Sequence, residues 1–391
     1  MAELVNASPA PADAYRDRKR YSWIFSILVP MFIAAGPLML SLTGDARILW
    51  VPVLFMYGGI PLLDTIFGLD RSNPPESAVP ALESDLYYRV VTFALVPLLW
   101  AAFIYAAWYY AGHPLPWHGT LALVITTGVI GGFCINLGHE LGHKSDEAER
   151  WLAKLILAPS CYGHFFIEHN RGHHRDVATP EDSASSRMGE SIYRFMLREM
   201  PGAMSRAWKI EADRLRRAGQ PVWSLRNQFI QPWLITLALW LVLTVWLGGR
   251  VLPFLIAVSF WSNFQLTLAN YIEHYGLLRR KVSADRYERC EPHHSWNSNH
   301  VFSNWATFHL QRHSDHHAHP TRRYQSLRHF ENAPQLPSGY PGMFLLAVVP
   351  PLWFRVMNPR LLRATERDAA RINFDPASRQ RLIKRYGLRE A

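Results

Sequence analysis

The stretch that decides the fold, residues 121–143, reads LALVITTGVIGGFCINLGHELGH. Residues 121–137 carry no charge, and they approach the length of about 20 apolar residues that a helix needs to cross a bilayer. His139 and His143 follow directly and are four residues apart, a spacing that places two side chains on one face of a helix. The stretch therefore predicts a membrane-spanning helix that carries two imidazoles at its end.

Five further apolar stretches have similar lengths, so the chain contains six predicted spans. The spans are residues 23–42, 48–67, 90–111, 121–137, 229–247 and 251–268. Hydrophobic residues make up 49% of the chain and charged residues only 18%, below the share of about 25% in ordinary soluble proteins. We expect an all-α, polytopic membrane protein in which residues 1–391 form a single domain. Segments 139–228 and 272–391 should then form a helical cap on one side of the membrane.

With six spans, both termini lie on the same side of the membrane. All but two of the 41 Lys and Arg residues, Arg47 and Arg250, fall on that side. Because positive loops stay in the cytoplasm, we expect a multi-pass membrane protein with cytoplasmic N- and C-termini and a cytoplasmic cap. The same topology accounts for the net charge of +10, so no nucleic acid partner is expected. Residues 343–357 are apolar but interrupted by Pro350 and Pro351, which favours a re-entrant or interfacial piece.

Nine of the 18 histidines are concentrated in three boxes and one smaller element, all at or beyond the predicted span ends. These are HELGH at 139–143, EHNRGHH at 168–174, RHSDHH at 312–317 and NYIEH at 270–274. On helices, i and i+4 spacing pairs His139 with His143, His169 with His173 and His313 with His317, and His316 joins the last pair. Nine imidazoles suit two metal ions, because one ion takes about four to six ligands.

A carboxylate stands beside a histidine in each of the four elements. These residues are Glu140, Glu168, Glu273 and Asp315. Carboxylates near ligand histidines orient the imidazole rings and raise their basicity, so we expect these four to contact the ligands. The three cysteines form no C-x-x-C pair, which argues against a zinc ribbon, a Cys-ligated iron–sulfur cluster or a rubredoxin-type iron site in this chain.

The residues alone leave the metal open, because imidazole binds Fe, Zn, Cu and Ni alike. His139-Glu140-x-x-His143 matches the pattern of zinc proteases, in which the glutamate is the general base. Such an enzyme would leave six further clustered histidines without a role. A metal transporter or storage protein is the other alternative, although transporters bind their cargo near the bilayer midplane and these histidines lie beyond the span ends.

The chain resembles the integral-membrane alkane 1-monooxygenases (alkane ω-hydroxylases), within the histidine-box superfamily of membrane fatty-acid desaturases and hydroxylases. The motifs that carry the resemblance are HELGHK at 139–144, EHNRGHH at 168–174, VATPED at 177–182, HYG at 274–276 and LQRHSDHH at 310–317. The resemblance covers nearly the whole chain. It implies a non-haem di-iron centre held by nine histidines, namely His139, His143, His169, His173, His174, His274, His313, His316 and His317.

The resemblance also implies O2 as cosubstrate, with no haem, flavin or iron–sulfur cluster in this chain. Electrons are expected from rubredoxin, which is itself reduced by rubredoxin reductase. The implied reaction is the terminal hydroxylation of medium-chain n-alkanes to primary alcohols. Within the same superfamily, a fatty-acyl desaturase or an aryl-methyl hydroxylase of the xylene type is the alternative.

An alkane is expected to enter from the bilayer and to stand along the fourth span. Gly128, Gly131, Gly132 and Ile135 lie on the side of this helix that leads to His139, where they would leave a slot. The pattern Gly128-x-x-x-Gly132 is also typical of close helix packing. Near the third box, Arg312, Arg322, Arg323 and Arg328 are expected to dock an acidic electron carrier, or else to follow the topology rule or hold lipid head groups.

Overall fold

The computed structural model describes residues 15–284 and 286–389. Within them, six helices are long and apolar enough to cross a membrane, as predicted. The main helices are α1 Arg20–Thr43, α2 Ala46–Phe67, α3 Leu86–Gly112, α4 Trp117–Gly142, α5 Glu147–Leu157, α6 Ile192–Arg217, α7 Ile230–Leu247, α8 Val251–Glu273, α9 Tyr340–Ala347, α10 Pro350–Ala364 and α11 Arg379–Tyr386. Short helices lie at Val79–Ser84, Val301–Ala306 and His313–Ala318. The predicted fold class, a helical polytopic membrane protein, is confirmed.

The two helices that lead to the histidines are longer than predicted. α4 continues to Gly142 instead of ending at 137, and its 26 residues span about 39 Å. α8 continues to Glu273 instead of ending at 268. Both helices are longer than the hydrocarbon layer of a bilayer, which is about 30 Å thick. Their last turns carry His139 and Glu273.

α4 lies at the centre of the bundle, against α3, α5 and α8. α8 approaches α4 most closely where α4 has glycines. A Cβ atom built on Gly128 would lie 2.6 Å from Trp261 Cδ1, and one built on Gly131 would collide with Ser262 Oγ. Small residues at such a contact let two helix backbones pack directly against each other. The contact fixes the ends of α4 and α8 side by side.

The apolar segment around Pro350 folds as two helices rather than one. α9 and α10 meet at an angle of 120°, so they form no straight seventh span. This geometry agrees with the re-entrant or interfacial piece predicted from the two prolines. Trp353 of α10 packs against Tyr271 of α8, with 4.9 Å between the ring centroids, and this contact joins the bent pair to the helix bundle.

The cap is helical as predicted, with one exception. α5 and α6 lie in the segment 139–228, for which a helical cap was predicted. The exception is a two-stranded antiparallel hairpin, in which β1 Lys281–Ser283 pairs with β2 Arg286–Tyr287. The predicted cytoplasmic position of both termini concerns residues 1–14 and 390–391, which lie outside the described residues.

Candidate metal centre

The second histidine box does not form an α-helix. Glu168–His173 is a π-helix, in which backbone hydrogen bonds span five residues instead of four. In this wider turn His169 faces His174, with 3.1 Å between their Nε2 atoms. His173 turns towards other histidines. His169 and His173 remain neighbours, with ring centroids 5.1 Å apart, but they belong to different groups of histidines.

Five histidines form a first group. They are His139, His143, His169, His174 and His316, and their candidate ligand atoms all lie within 4.8 Å of one another. His316 Nε2 lies 2.8 Å from His139 Nε2 and 3.0 Å from His174 Nε2. The predicted pair on α4, His139 and His143, is thus brought together. His316 lies here rather than with His313 and His317, which corrects the prediction for the third box.

Four histidines form a second group, and all of them are buried. They are His173, His274, His313 and His317. His313 Nε2 lies 3.1 Å from His274 Nε2 and 3.0 Å from His317 Nε2. The two groups are neighbours, since the ring centroids of His174 and His317 are 4.5 Å apart. The fold therefore brings all nine predicted histidines together, including His274 from outside the three boxes.

The spacing of the nitrogens fits two metal ions. Bonds of about 2.0–2.1 Å from a metal to imidazole place neighbouring nitrogens about 3.0–3.4 Å apart, depending on the coordination geometry. The Nε2–Nε2 distances of 2.8 Å in the first group and 3.1 Å in the second are close to this range. His143 Nε2 and His173 Nε2 are buried without a hydrogen-bond partner, which is unfavourable unless a ligand takes up the lone pair. One ion fits in each group.

The protonation states also suit metal binding. Burial is the first cause that holds the pKa of six of these histidines far below its usual range, and the neighbouring imidazoles are the second. The six are His143, His169, His174, His313, His316 and His317. The same two causes lower the pKa of His274 to about 3. A neutral imidazole offers a free lone pair, which is the form that coordinates metals.

His173 is held by a carboxylate that the sequence analysis missed. Its Nδ1 lies 2.8 Å from Asp182 Oδ2, a contact that directs Nε2 into the group of four. Burial alone would lower the pKa of His173, but the Asp182 carboxylate outweighs burial and raises it. Asp182 also accepts hydrogen bonds from Ser185 and Arg206. Asp182 ends the VATPED motif, so a sequence signal existed, but it is nine positions away from the histidine.

Replacing Asp182 by asparagine should weaken metal binding in the group of four by about 10–100-fold, because the amide orients the His173 ring less firmly. The measurement is the metal retained per chain during titration with a chelator. Glu181→Gln is a matched control, since the Glu181 carboxylate accepts a hydrogen bond from Tyr287 OH at the surface. Equal retention in the two variants would show that Asp182 does not support the ligand.

Of the four carboxylates predicted to contact ligands, Glu273 alone does so among the described residues. It lies 3.4 Å from His313 Nε2 and accepts a hydrogen bond from Tyr340 OH at 2.7 Å. The others bind cations or a histidine outside the two groups: Glu140 pairs with Lys144, Glu168 with Arg206, and Asp315 with His319 and Arg322. The prediction is wrong for these three, because adjacent residues on a helix point about 100° apart.

A largely apolar cavity leads from the metal groups into the spanning helices. Its wall includes His139 and His169 of the first group and His313 of the second group. Along its length it is lined by Met56, Val129, Phe133, Ile135, Leu266 and Phe344, among others. In the part of the chain that the structure describes, Glu273 is the single carboxylate in this wall and no Lys or Arg contributes to it. The cavity suits an uncharged hydrocarbon.

The structure divides the four residues predicted to form a substrate slot. Gly132 and Ile135 line the cavity. The space beside Gly128 and Gly131 is filled by Trp261 and Ser262 of α8. The slot prediction is therefore wrong for these two glycines, which instead permit the close packing of α4 on α8.

The four arginines predicted to dock an electron carrier are engaged inside the protein. Arg312 is only 1% exposed and donates hydrogen bonds to the backbone carbonyls of Leu327 and Asp70. The others form ion pairs: Arg322 with Asp315 and Glu76, Arg323 with Glu149, and Arg328 with Glu76. These four arginines therefore do not form an exposed basic surface. Backbone carbonyls bind Arg312, and carboxylates pair with the other three.

Comparison with known proteins agrees with this geometry. Residues 114–347 match the sequence model of the fatty acid desaturase family. An alkane 1-monooxygenase of Ectopseudomonas oleovorans is 51% identical over 381 residues, which cover 97% of this chain and 95% of the relative. Alkane 1-monooxygenase 1 of Alcanivorax borkumensis is 50% identical over 394 residues, covering 100% and 97% of the two chains.

A more distant relative is the xylene/toluene monooxygenase hydroxylase component of Pseudomonas putida, which is 34% identical over 228 residues, or 58% of this chain and 60% of the relative. The alkane enzymes match at higher identity and over almost the full length. The chain is therefore a membrane oxidoreductase that belongs to the alkane 1-monooxygenase family, within the larger fatty acid desaturase family.

Proposed function

We propose that this protein hydroxylates the terminal methyl group of medium-chain n-alkanes, with O2 as oxidant, at a centre of two iron ions. The reaction consumes an alkane, O2, two electrons and two protons, and it yields a primary alcohol and water. The observation that carries the proposal is the apolar cavity whose inner end is formed by histidines of both groups. An alkane that enters from the bilayer would present one end to the metals.

Iron would supply the reductive activation of O2, which is required because an alkane methyl group has neither an acidic proton nor an electrophilic carbon. The chain's own residues hold the metals and position the substrate. The first group offers five imidazoles, one more than the four ligands of a tetrahedral zinc site. Five nitrogen ligands favour a metal with a higher coordination number, which supports iron over zinc.

The cavity favours an alkane over a fatty-acyl substrate. An acyl chain carries a polar or charged head, and the described wall of the cavity contains no Lys or Arg to bind a charged one. The relative that acts on xylene or toluene, according to its name, matches only 58% of this chain. An aryl-methyl substrate is therefore the second candidate, and the products of turnover separate the two.

The proposed electron donor is rubredoxin, reduced in turn by rubredoxin reductase. All but two of the 41 Lys and Arg residues lie on the side of the metal groups, which supports a cytoplasmic active site in the bacterial inner membrane. A soluble donor would then reach the site from the cytoplasm, and the alkane would reach it from the lipid.

The decisive experiment uses the purified protein in detergent or nanodiscs. Metal analysis should give about two iron ions per chain. Reduced rubredoxin, O2 and n-octane should then yield 1-octanol, with one atom of oxygen from labelled O2 in the product. One zinc ion per chain and no iron would overturn the metal assignment, while hydroxylation of p-xylene in preference to n-octane would favour the second candidate.

The cavity also predicts which residue limits chain length. Val129 lines the cavity ten residues before His139 on α4, a distance of about 15 Å along the helix. Val129→Phe should fill this region and shift the product profile of an n-alkane mixture towards shorter alcohols, with unchanged iron content. Leu121→Phe is the control, because Leu121 lies exposed on the outer surface of the same helix. An unaltered profile in folded Val129→Phe protein would place the end of the alkane elsewhere.

A further inference from the structure

The hairpin of the cap carries an exposed cluster of positive charge. We define the basic hairpin as residues 279–284 and 286–289, in which Arg280, Lys281, Arg286 and Arg289 are exposed. Arg280 has Asp368 at 3.8 Å, beyond hydrogen-bond distance. Within residues 15–284 and 286–389, no carboxylate lies within ion-pair distance of Lys281, Arg286 or Arg289. This surface therefore differs from the neutralised arginines near the third box.

One side of the basic hairpin is bound to the segment that directly follows the second histidine box. The backbone N–H of Arg279 donates to the carbonyl of Ala178 at 2.8 Å. Its guanidinium donates to the carbonyls of Arg175 and Val177, at 3.0 and 3.3 Å. These residues directly follow His174, a half-buried member of the group of five. The hairpin thus lies beside one of the two half-buried members of this group.

The other side of the hairpin connects to the group of four. His294 Nδ1 accepts the backbone N–H of Glu291, so its Nε2 carries the proton and donates to Glu288 Oε1 at 3.1 Å. The carbonyl of His294 in turn accepts the Nδ1–H of His274 at 3.3 Å. A single hydrogen bond therefore separates the loop that follows the hairpin from a ligand of the second metal. Because His294 Nε2 is a donor here, the nearby cluster of Glu288, His293 and His294 is a hydrogen-bonded support rather than a third metal site.

We propose that the basic hairpin is the docking surface for an acidic protein that carries one electron at a time. This inference rests on the proposed function, which requires two electrons for each turnover from a donor outside the chain. Each reduced carrier is oxidised as it gives one electron to the metal centre, so two docking events serve one alcohol. Exposed cations that have no carboxylate partner among the described residues attract an acidic carrier and speed its encounter. The hairpin that carries them is hydrogen-bonded to segments next to ligands of both groups.

The test compares two triple variants of the full-length protein in nanodiscs. The first is Lys281→Glu, Arg286→Glu and Arg289→Glu. The matched control, with the same change in charge, is Lys209→Glu, Arg216→Glu and Arg217→Glu, three exposed residues of α6. Steady-state hydroxylation of n-octane is measured against rubredoxin concentration at several salt concentrations, and bound iron is quantified in each sample.

The hairpin variant should raise the KM for rubredoxin on the order of tenfold or more at low salt, with kcat at saturation and iron content near those of the unchanged protein. Its dependence on salt should be weaker. A KM equal to that of the control variant would overturn the proposal. So would an effect that disappears in nanodiscs of purely zwitterionic lipid, which would assign the cations to anionic head groups. Failure of the proposed function is distinguishable, because the unchanged protein would then show no turnover with rubredoxin.

Discussion

Replacement of His173 by alanine is expected to abolish alkane hydroxylation and to remove the metal from the group of four. His173 Nε2 is buried and has no hydrogen-bond partner, and Asp182 fixes its ring at 2.8 Å. No other described imidazole lies free to replace it, since the remaining three members of this group already face the same point. The loss should exceed the factor of about 10–100 expected for a residue that only orients a ligand. Iron per chain and turnover of n-octane are the two measurements.

His319→Ala is the matched control for this prediction. His319 follows the third box directly, but its side chain is 51% exposed and its Nδ1 binds Asp315 at 2.9 Å. Because it belongs to neither group, its replacement should leave the iron content unchanged. If His173→Ala kept two iron ions per chain and normal turnover, the assignment of the second group as a metal site would fail.

Replacement of Gly128 by leucine is expected to prevent correct folding rather than to shorten the preferred alkane. Even the first atom of the new side chain would lie 2.6 Å from Trp261 Cδ1 and 2.7 Å from Trp261 Cβ. Overpacking in well-packed cores costs about 1–3 kcal/mol and more where the neighbour has no room to move. The fraction of monodisperse protein after solubilisation, and its Tm, should both fall strongly.

Two comparisons separate packing from other causes. Gly58→Leu makes the same chemical change on α2, where nothing lies within 4 Å of an added Cβ atom, and it should be tolerated. Combining Gly128→Leu with Trp261→Ala should restore part of the lost stability, because the colliding ring is removed. Folded Gly128→Leu protein with a shortened alkane profile would instead restore the slot that the sequence suggested.

The sequence predicted the membrane-spanning helices well, because hydropathy over about 20 residues reflects the thickness of the bilayer. It also identified all nine histidines that the fold brings together. Which histidine belongs to which group did not follow from spacing, because Glu168–His173 adopts a π-helix and spacing arguments assume an α-helix. His316 and His174 join His139 for this reason and because of tertiary packing.

Burial and long-range partners were the features that local sequence did not reveal. In the sequence, Arg312 looks like any arginine of a polar segment, yet its guanidinium is enclosed by the backbone carbonyls of Asp70, Ser72 and Leu327. Asp182 orients a ligand from nine positions away, whereas Glu140, directly beside His139, pairs with Lys144. Glu140 therefore shows why proximity along a chain is a weak guide to contacts in space.

The π-helical turn has a mechanical consequence for the two metal positions. His173 and His174 are joined by one peptide bond, their ring centroids are 5.9 Å apart, and each belongs to a different group. Because one trans peptide keeps their Cα atoms about 3.8 Å apart, the position of one ring restricts the position of the other. A substitution that shifts the backbone at His173 would therefore displace His174 as well. The two candidate metal positions cannot be altered independently at this point of the chain.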